Sequence, residues 1–319
     1  MVAFLSGDVV TAAEHQSPAV SLAACQATLT TDSPRRAEPF RQARGRNYKA
    51  VADADLPPDE LARAVESPES PLEAPTTSVV KRGRSALIVK AAFRLCDGET
   101  RAAYKRFGSK NWLRRLSRGL QASRVVRNFR LGHKLLRFGV ATPRPLLAVS
   151  PRWRVFLRPA FLATQWIEGA LPIDAFLRTL AGMPAGRQRA ILRETAHGVG
   201  RLVGALHAHG FAHRDLKATN LLVRERQGRI EVFVIDLDGA STPWFLTRRT
   251  RWTNLARLLI ASQKLGEVTH VLRRRALAAY LDSFPDPAPW KAVWRELREI
   301  SRIRRSRRAV RGRSRAPGQ

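Results

Sequence analysis

The sequence predicts an α+β fold, strand-rich in its first half and helical in its second, with a disordered leader and a basic tail. Three observations carry this reading. Apolar, β-compatible runs joined by turn residues fill the stretch from Thr77 to Trp166. Helical apolar spacing dominates from Ile167 onward. A short apolar hairpin, residues 221–223 and 232–235, interrupts the helices.

The elements follow in order. Residues 1–75 hold eleven acids against seven bases and are rich in Pro, Ser, Ala and Thr, as in Glu66-Ser67-Pro68-Glu69-Ser70-Pro71. Little periodicity supports a packed element there, so a disordered leader is expected. Ser85 to Phe93 reads as a strand, Asp97-Gly98 as a turn and Arg101 to Phe107 as the returning strand. A helix is expected from about Ser123 to Phe138, because Val126, Phe129, Leu131, Leu135 and Leu136 fall at helical spacing and Gly139 stops it. Thr142-Pro143-Arg144-Pro145 opens an extended piece through Leu147. Trp153 to Leu157 and Phe161 to Trp166 read as two more strands. Helices are expected from Leu171 to about Leu180, from Gly186 to His209, and around residues 252–265, 269–283 and 290–303. The last stretch, 301–319, has eight Arg and no acid and reads as a solvated basic tail.

Composition bounds the function. In 319 residues, 44% hydrophobic and 26% charged, a core can form and wholesale disorder is excluded. Basic residues outnumber acids 57 to 26, for a net charge of +31. Only nine of those bases are Lys. Such a skew has two readings: Arg codons favoured by a GC-rich genome, or attraction to a polyanion such as nucleic acid, an anionic lipid surface or a phosphorylated glycan. Aromatics are only 7% and no nucleic-acid motif appears, which argues against a specific nucleic-acid partner. No run reaches the roughly 18 apolar residues of a membrane span, and no basic region precedes the short apolar patch at residues 2–5, so no secretory signal is expected. Two cysteines, Cys25 and Cys96, make no disulfide framework, which suits a reducing, cytoplasmic compartment.

The sharpest feature is His213-Arg214-Asp215-Leu216-Lys217-Ala218-Thr219-Asn220, between the long helix and the hairpin. Beyond the hairpin stands Ile235-Asp236-Leu237-Asp238-Gly239. The first string resembles the protein-kinase catalytic loop, and the second stands where D-F-G stands. The surrounding strings narrow the branch: Tyr104-Lys105-Arg106-Phe107, Gly139-Val140-Ala141-Thr142-Pro143-Arg144-Pro145-Leu146, and Thr164-Gln165-Trp166-Ile167-Glu168-Gly169-Ala170. Together they resemble the bacterial lipopolysaccharide core kinases, the Kdo and heptose kinases of the protein-kinase-like superfamily. The resemblance runs from about residue 78 to about residue 265.

That resemblance implies a two-lobed protein-kinase-like domain over 76–300, with an N-lobe at 76–166 and a C-lobe at 167–300. It implies ATP as phosphate donor, Mg²⁺ as cofactor, and a sugar hydroxyl on a membrane-embedded glycolipid as acceptor. Phosphoryl transfer needs the hydroxyl held in line and the developing charge neutralised. Asp215 would accept or orient the hydroxyl proton, and Lys217 would reach the γ-phosphate. Asn220 and Asp236 would give Mg²⁺ the hard oxygen ligands it prefers. Lys105 would pair the α/β-phosphates. The turn around Gly83 and Ser85 would cover the phosphates, and the backbone of Gln165, Trp166, Ile167 and Glu168 would meet the adenine edge. The cytoplasmic face of the membrane is the implied location. Arg114, Arg115, Arg118, Arg124 and Arg127, with the Arg302–Arg315 block, would draw the protein to its anionic surface.

Four departures from the pattern stand out. The phosphate-covering turn has one glycine. No acid lies between Glu99 and Glu168, so the helix that would give Lys105 a Glu partner has none. Lys105 is then oriented by phosphate alone, by Asp236, or with help from a polar residue such as Asn128. The glycine of D-F-G is Asp238, and no A-P-E follows. The short basic stretch from Thr242 to Thr253 is a poor platform for a peptide, which argues against a protein Ser/Thr kinase. Retention of Asp215, Lys217, Asn220 and Asp236 together argues against a pseudokinase that binds an anionic surface without catalysis.

Overall fold

The computed structural model describes residues 40–83, 86–108, 118–152, 155 and 158–313; side chains are described within 124–306 for the third helix onward. The first 39 residues of the expected leader lie outside these. The rest of that leader is ordered, which corrects the expectation. Strands β1 (Phe40–Arg44) and β2 (Tyr48–Asp53) form a hairpin, followed by helices α1 (Pro58–Glu66) and α2 (Ser70–Glu73). The physical reason lies in what the residues touch. Tyr48, Ala50, Ala52, Leu56, Leu61 and Val65 are buried in one apolar cluster with Val89, Tyr104, Leu147 and Phe161. The acids that suggested solvation are engaged: Asp53 and Asp55 grip Arg144, and Glu69 pairs with Arg106 at 3.0 Å. The Pro68 carbonyl accepts the buried Tyr104 hydroxyl at 2.8 Å.

The expected strands of the first half appear as β3 (Ser78–Arg82), β4 (Ala86–Leu95) and β5 (Gly98–Phe107). β4 and β5 pair from Ala86↔Phe107 to Leu95↔Gly98, and Gly98 closes the hairpin at φ +133°, a conformation that favours glycine. Helix α3 (Arg118–Arg137) buries Val125, Phe129, Leu131 and Leu135 and ends where expected, before Gly139 at φ +68°. β6 (Pro145–Pro151) and β7 (Ala160–Gln165) complete a seven-stranded antiparallel sheet in the order β1-β2-β6-β7-β5-β4-β3. The early hairpin therefore extends the sheet at its β6 edge, with Tyr48 opposite Pro151. The strand expected at Trp153–Leu157 lies outside the described residues except for Val155, whose amide donates to the Arg152 carbonyl in a turn.

Beyond β7 the chain is mainly helical: β8 (Leu171–Pro172), α4 (Ile173–Thr179), α5 (Ala185–Ala208), β9 (Ala212–His213), β10 (Leu221–Arg226), β11 (Arg229–Val234), β12 (Ala240–Ser241), α6 (Arg248–Ser262), α7 (His270–Leu281) and α8 (Trp290–Arg313). α5 is the spine. Its Val199, Leu202, Val203 and Leu206 share a buried cluster with Leu277 and Tyr280 of α7. Gly200 allows the close approach, since a β-carbon there would press on the α7 backbone and lie 2.9 Å from Ala279 Cβ. α8 runs through Arg313, so the boundary expected at 301 falls inside a helix. Leu297 and Ser301 are buried on its inner face, and Arg is a good helix former, so a charged stretch continues the helix. The last six residues of the expected tail lie outside the described ones. No described helix is long and apolar enough to cross a membrane.

Candidate active site

Two short strands bring the two motifs together. β12 pairs with β9, with Ala240 opposite His213, and the Arg214 amide donates to the Gly239 carbonyl at 2.8 Å. His213 is fully buried beneath this ladder, and burial pushes its imidazole pKa down. Gly239 is required by proximity: a β-carbon there would lie 3.1 Å from both the Asp215 amide nitrogen and His213 Cε1. A side chain at 239 would displace the loop that carries Asp215.

The loop from Asp215 to Asn220 is held by its own side chains. Lys217 Nζ lies 2.7 Å from Asp215 Oδ2. Asn220 is buried and donates from Nδ2 to the Asp215 carbonyl at 2.8 Å and to its carboxylate at 3.2 Å. The Asn220 carbonyl in turn accepts the Ile235 amide at 3.0 Å, which ties the loop to the end of β11. Partial burial works to raise the Asp215 carboxyl, but Lys217 and Asn220 outweigh it and hold the group below the usual carboxylate range. The result is an ionised, half-exposed carboxylate at the mouth of the site.

Asp236 sits in the left-handed region at φ 59°, ψ 59°, an uncommon conformation for a non-glycine residue and one that clusters at functional sites. It turns the chain out of β11 so that its carboxylate meets Lys105 from β5, with Nζ 3.0 Å from Oδ1. Lys105 also lies 4.6 Å from the centre of the Phe107 ring. Lys105, Asp236, Asn220, Asp215 and Lys217 thus form one connected set drawn from both halves of the chain. Asn220 and Asp236 carry oxygen atoms of the hard type that Mg²⁺ prefers, so they are the residues that could hold one.

The remaining expected residues lie in the sheet's connections and just beyond β7. Gly83 lies in the β3–β4 connection, where its amide donates to the Ala86 carbonyl at 2.9 Å; Ser85 lies outside the described residues. Gln165 ends β7, and the Trp166 amide donates to the Arg101 carbonyl at 2.8 Å. Ile167 and Glu168 follow in the turn before Gly169, which has φ +72°. The Glu168 side chain pairs with Lys90 at 2.8 Å, and Lys90 lies over the Trp166 ring.

Sequence reasoning missed one carboxylate. Asp238 lies 3.7 Å from Lys105 Nζ and 3.3 Å from Arg124, and it accepts a hydrogen bond from Asn128. Arg127 reaches the Asp238 carbonyl at 3.4 Å. Arg124 and Arg127, expected to serve a membrane-facing patch, therefore turn toward the site; Arg114, Arg115 and the Arg118 side chain lie outside the description. The signal that could have found Asp238 is its replacement of a glycine, taken together with a helix devoid of acids.

Comparisons with known proteins agree with the motifs. The family model "Lipopolysaccharide kinase (Kdo/WaaP) family" matches residues 76–280. A 3-deoxy-D-manno-octulosonic acid kinase of Pasteurella multocida is 30% identical over 139 residues, covering 44% of this chain and 53% of the relative. The same-named kinase of Xylella fastidiosa strain M23 is 31% identical over 149 residues, covering 46% and 53%. The chain thus spans about half the length of the curated relatives it matches. A solved structure described as WaaP in complex with acyl carrier protein shares the fold, with a TM-score of 0.53 at 20% identity over 78% of this chain and 95% of that one.

Proposed function

The chain belongs to the lipopolysaccharide kinase (Kdo/WaaP) family, and from that premise we propose that it transfers the γ-phosphoryl group of ATP to a sugar hydroxyl of a glycolipid such as the lipopolysaccharide inner core. One observation carries the reading: Lys105 meets Asp236 at 3.0 Å while Asp215 holds Lys217 at 2.7 Å in the loop that Asn220 ties to Ile235, the residue before Asp236. A phosphate-gripping amine, an ionised carboxylate and an oxygen-donor pair are what phosphoryl transfer asks of a protein.

In this reading Asp215 accepts the proton of the acceptor hydroxyl and orients its oxygen. Lys217 holds Asp215 before the donor arrives and then turns to the γ-phosphate. Lys105 grips the α/β-phosphates. Asn220 and Asp236 would hold Mg²⁺, which supplies charge neutralisation on the phosphate oxygens when bound. The backbone from Gln165 to Glu168 faces the adenine.

The acceptor's setting is the cytoplasmic face of a membrane, with the enzyme attached peripherally. An exposed aromatic pair supports this. Trp244 and Phe245, 92% and 77% exposed, lie three and four residues past β12 and precede exposed Arg248 and Arg249. Aromatic rings beside Arg suit an anionic lipid surface, and this stretch leaves the same short ladder that carries Asp215.

The test is transfer of γ-labelled phosphate by purified protein, with Mg²⁺, to glycolipid fractions and to generic protein acceptors. Label on the glycolipid that is lost in Asp215→Asn is the expected result. Label on protein alone would make the chain a protein Ser/Thr kinase. ATP binding without transfer to either would leave a pseudokinase.

A further inference from the structure

Lys105 lacks the partner that its position calls for. A lysine that grips phosphates from a strand is aimed by a carboxylate, which in the kinase pattern projects from the helix after that strand. Here that helix is α3, and its sequence RGLQASRVVRNFRLGHKLLR contains no acid. Its inward side chains near the site are instead donors: Asn128, which is buried, and Arg124.

The carboxylate comes from the opposite side. Asp238 occupies the short turn Leu237–Gly239, two residues past Asp236. Its Oδ1 accepts from Asn128 Nδ2, and its Oδ2 lies 3.3 Å from Arg124 and 3.7 Å from Lys105 Nζ. The Asp238 side chain is only 20% exposed, so these contacts are not freely screened by water. The turn is pressed onto α3: a β-carbon on Gly132 would touch Leu237 Cδ1 at 3.5 Å. The donors on α3 and the acid on the turn match. An acid at 128 would face the Asp238 carboxylate and repel it.

We propose that Asp238 is the positioning carboxylate for Lys105, so that the acid sits on the metal-motif loop, where the pattern has a glycine, and the helix supplies donors in place of its acid. The inference rests on the kinase reading above. Asp238 acts through Lys105 and through α3, which it clamps against the site with Asn128 and Arg124. This arrangement places both of the lysine's carboxylate partners, Asp236 and Asp238, on one three-residue stretch. Docking α3 against that stretch therefore orders the lysine and the loop together.

The test is an isosteric exchange. Asp238→Asn removes the charge and keeps the shape; it should raise KM for ATP and the Kd for a non-hydrolysable ATP analogue by about tenfold, with a much smaller fall in kcat. Asn128→Asp alone should weaken nucleotide binding as well, by setting two acids together. The double variant Asn128→Asp/Asp238→Asn should regain most of the lost affinity. Unchanged affinity in Asp238→Asn overturns the proposal. So does a defect confined to the Mg²⁺ requirement, with metal-free nucleotide binding intact, because Asp238 would then be a metal ligand. If the unsubstituted protein binds no ATP, the kinase reading fails on its own. The Lys105–Asp238 pairing is then decided in the protein without nucleotide by Tm. Lys105→Met and Asp238→Asn together should shift Tm by less than the two separate shifts added, and strictly additive shifts overturn the pairing.

Discussion

Arg144 Nε lies 2.9 Å from Asp53 Oδ2, joining the end of β2 to the residue just before β6. The Asp53 side chain is 7% exposed, and His133 approaches the same carboxylate at 3.6 Å. Opposing charges raise the Arg144 pKa, chiefly through its hydrogen bond to Asp53, so the guanidinium stays ionised throughout. Asp53→Asn leaves Arg144 a third exposed and still paired with Asp55. The loss is then that of a charge-assisted hydrogen bond, and the protein should be destabilised by about 1.5 kcal/mol. The early hairpin would be the first part to loosen. Urea denaturation measures this, and an unchanged midpoint would show that the hairpin is held by its apolar residues alone.

That pair also explains what the sequence concealed. Asp53, Asp55 and Glu69 look like solvating charges when read locally, because their partners Arg144 and Arg106 lie 91, 89 and 37 residues away. Burial of Tyr48, Leu56 and Leu61 is likewise a property of the sheet that receives them. The site was legible where its residues are contiguous, from His213 to Asn220 and from Ile235 to Gly239, since each string is one loop whose geometry is set locally. Lys105 was singled out by the resemblance, inside an expected strand, and the structure brings it to Asp236. Asp238 escaped because its partners Lys105, Arg124 and Asn128 come from two other elements, and only the packing of α3 on the turn brings them together.

Asp215 and Asp236 should separate when substituted. Asp215→Asn removes the proton acceptor while keeping the hydrogen bond to Asn220 possible, so kcat should fall by about 10²- to 10⁴-fold with nucleotide affinity nearly intact. Asp236→Asn removes a carboxylate that holds Lys105 at 3.0 Å, and should weaken Mg²⁺-dependent nucleotide binding as well. Isothermal titration with an ATP analogue, beside initial-rate kinetics, distinguishes the two. Wild-type turnover in both variants would remove the basis for the kinase reading.

Acid should destabilise the fold through His207. The ring is 3% exposed, with Nδ1 3.0 Å from the Tyr280 hydroxyl and Nε2 3.3 Å from Asn254. Burial, followed by the nearby Arg251 charge, pushes its pKa down from 6.5 to about 3. Folded His207 stays neutral while the unfolded chain takes up a proton below pH 6.5, so stability is full above that pH and declines as pH falls toward 3. The slope from this one group approaches about 1.4 kcal/mol per pH unit. Burial also lowers His133 and His213, which add losses of the same sign. His207→Gln should therefore reduce the slope by one proton without abolishing it. Urea midpoints between pH 7.5 and 5 decide the matter, and equal slopes for the two proteins would mean that His207 is protonated inside the fold.

Attachment to an anionic membrane surface should depend on both rings and charge. Trp244 and Phe245 stand almost fully exposed, with their ring centres 6.4 Å apart, in a stretch followed by exposed Arg248 and Arg249. Aromatic rings favour the headgroup region, and each Arg or Lys near an anionic surface adds about 1 kcal/mol. The protein should therefore float with vesicles containing anionic lipid at low salt. Recovery should fall as the Debye length shrinks from ~10 Å at 0.1 M to ~3 Å at 1 M. Trp244→Ala/Phe245→Ala should lower recovery at every salt concentration, because ring insertion is not screened. Arg249→Gln should lower it chiefly at low salt, whereas Arg248 already spends its charge on Glu296 at 2.5 Å. If the large Arg excess reflects codon usage alone, charge has no surface to serve, and anionic and neutral vesicles would recover the protein equally. That result would remove the membrane from the proposal and leave the kinase site as it stands.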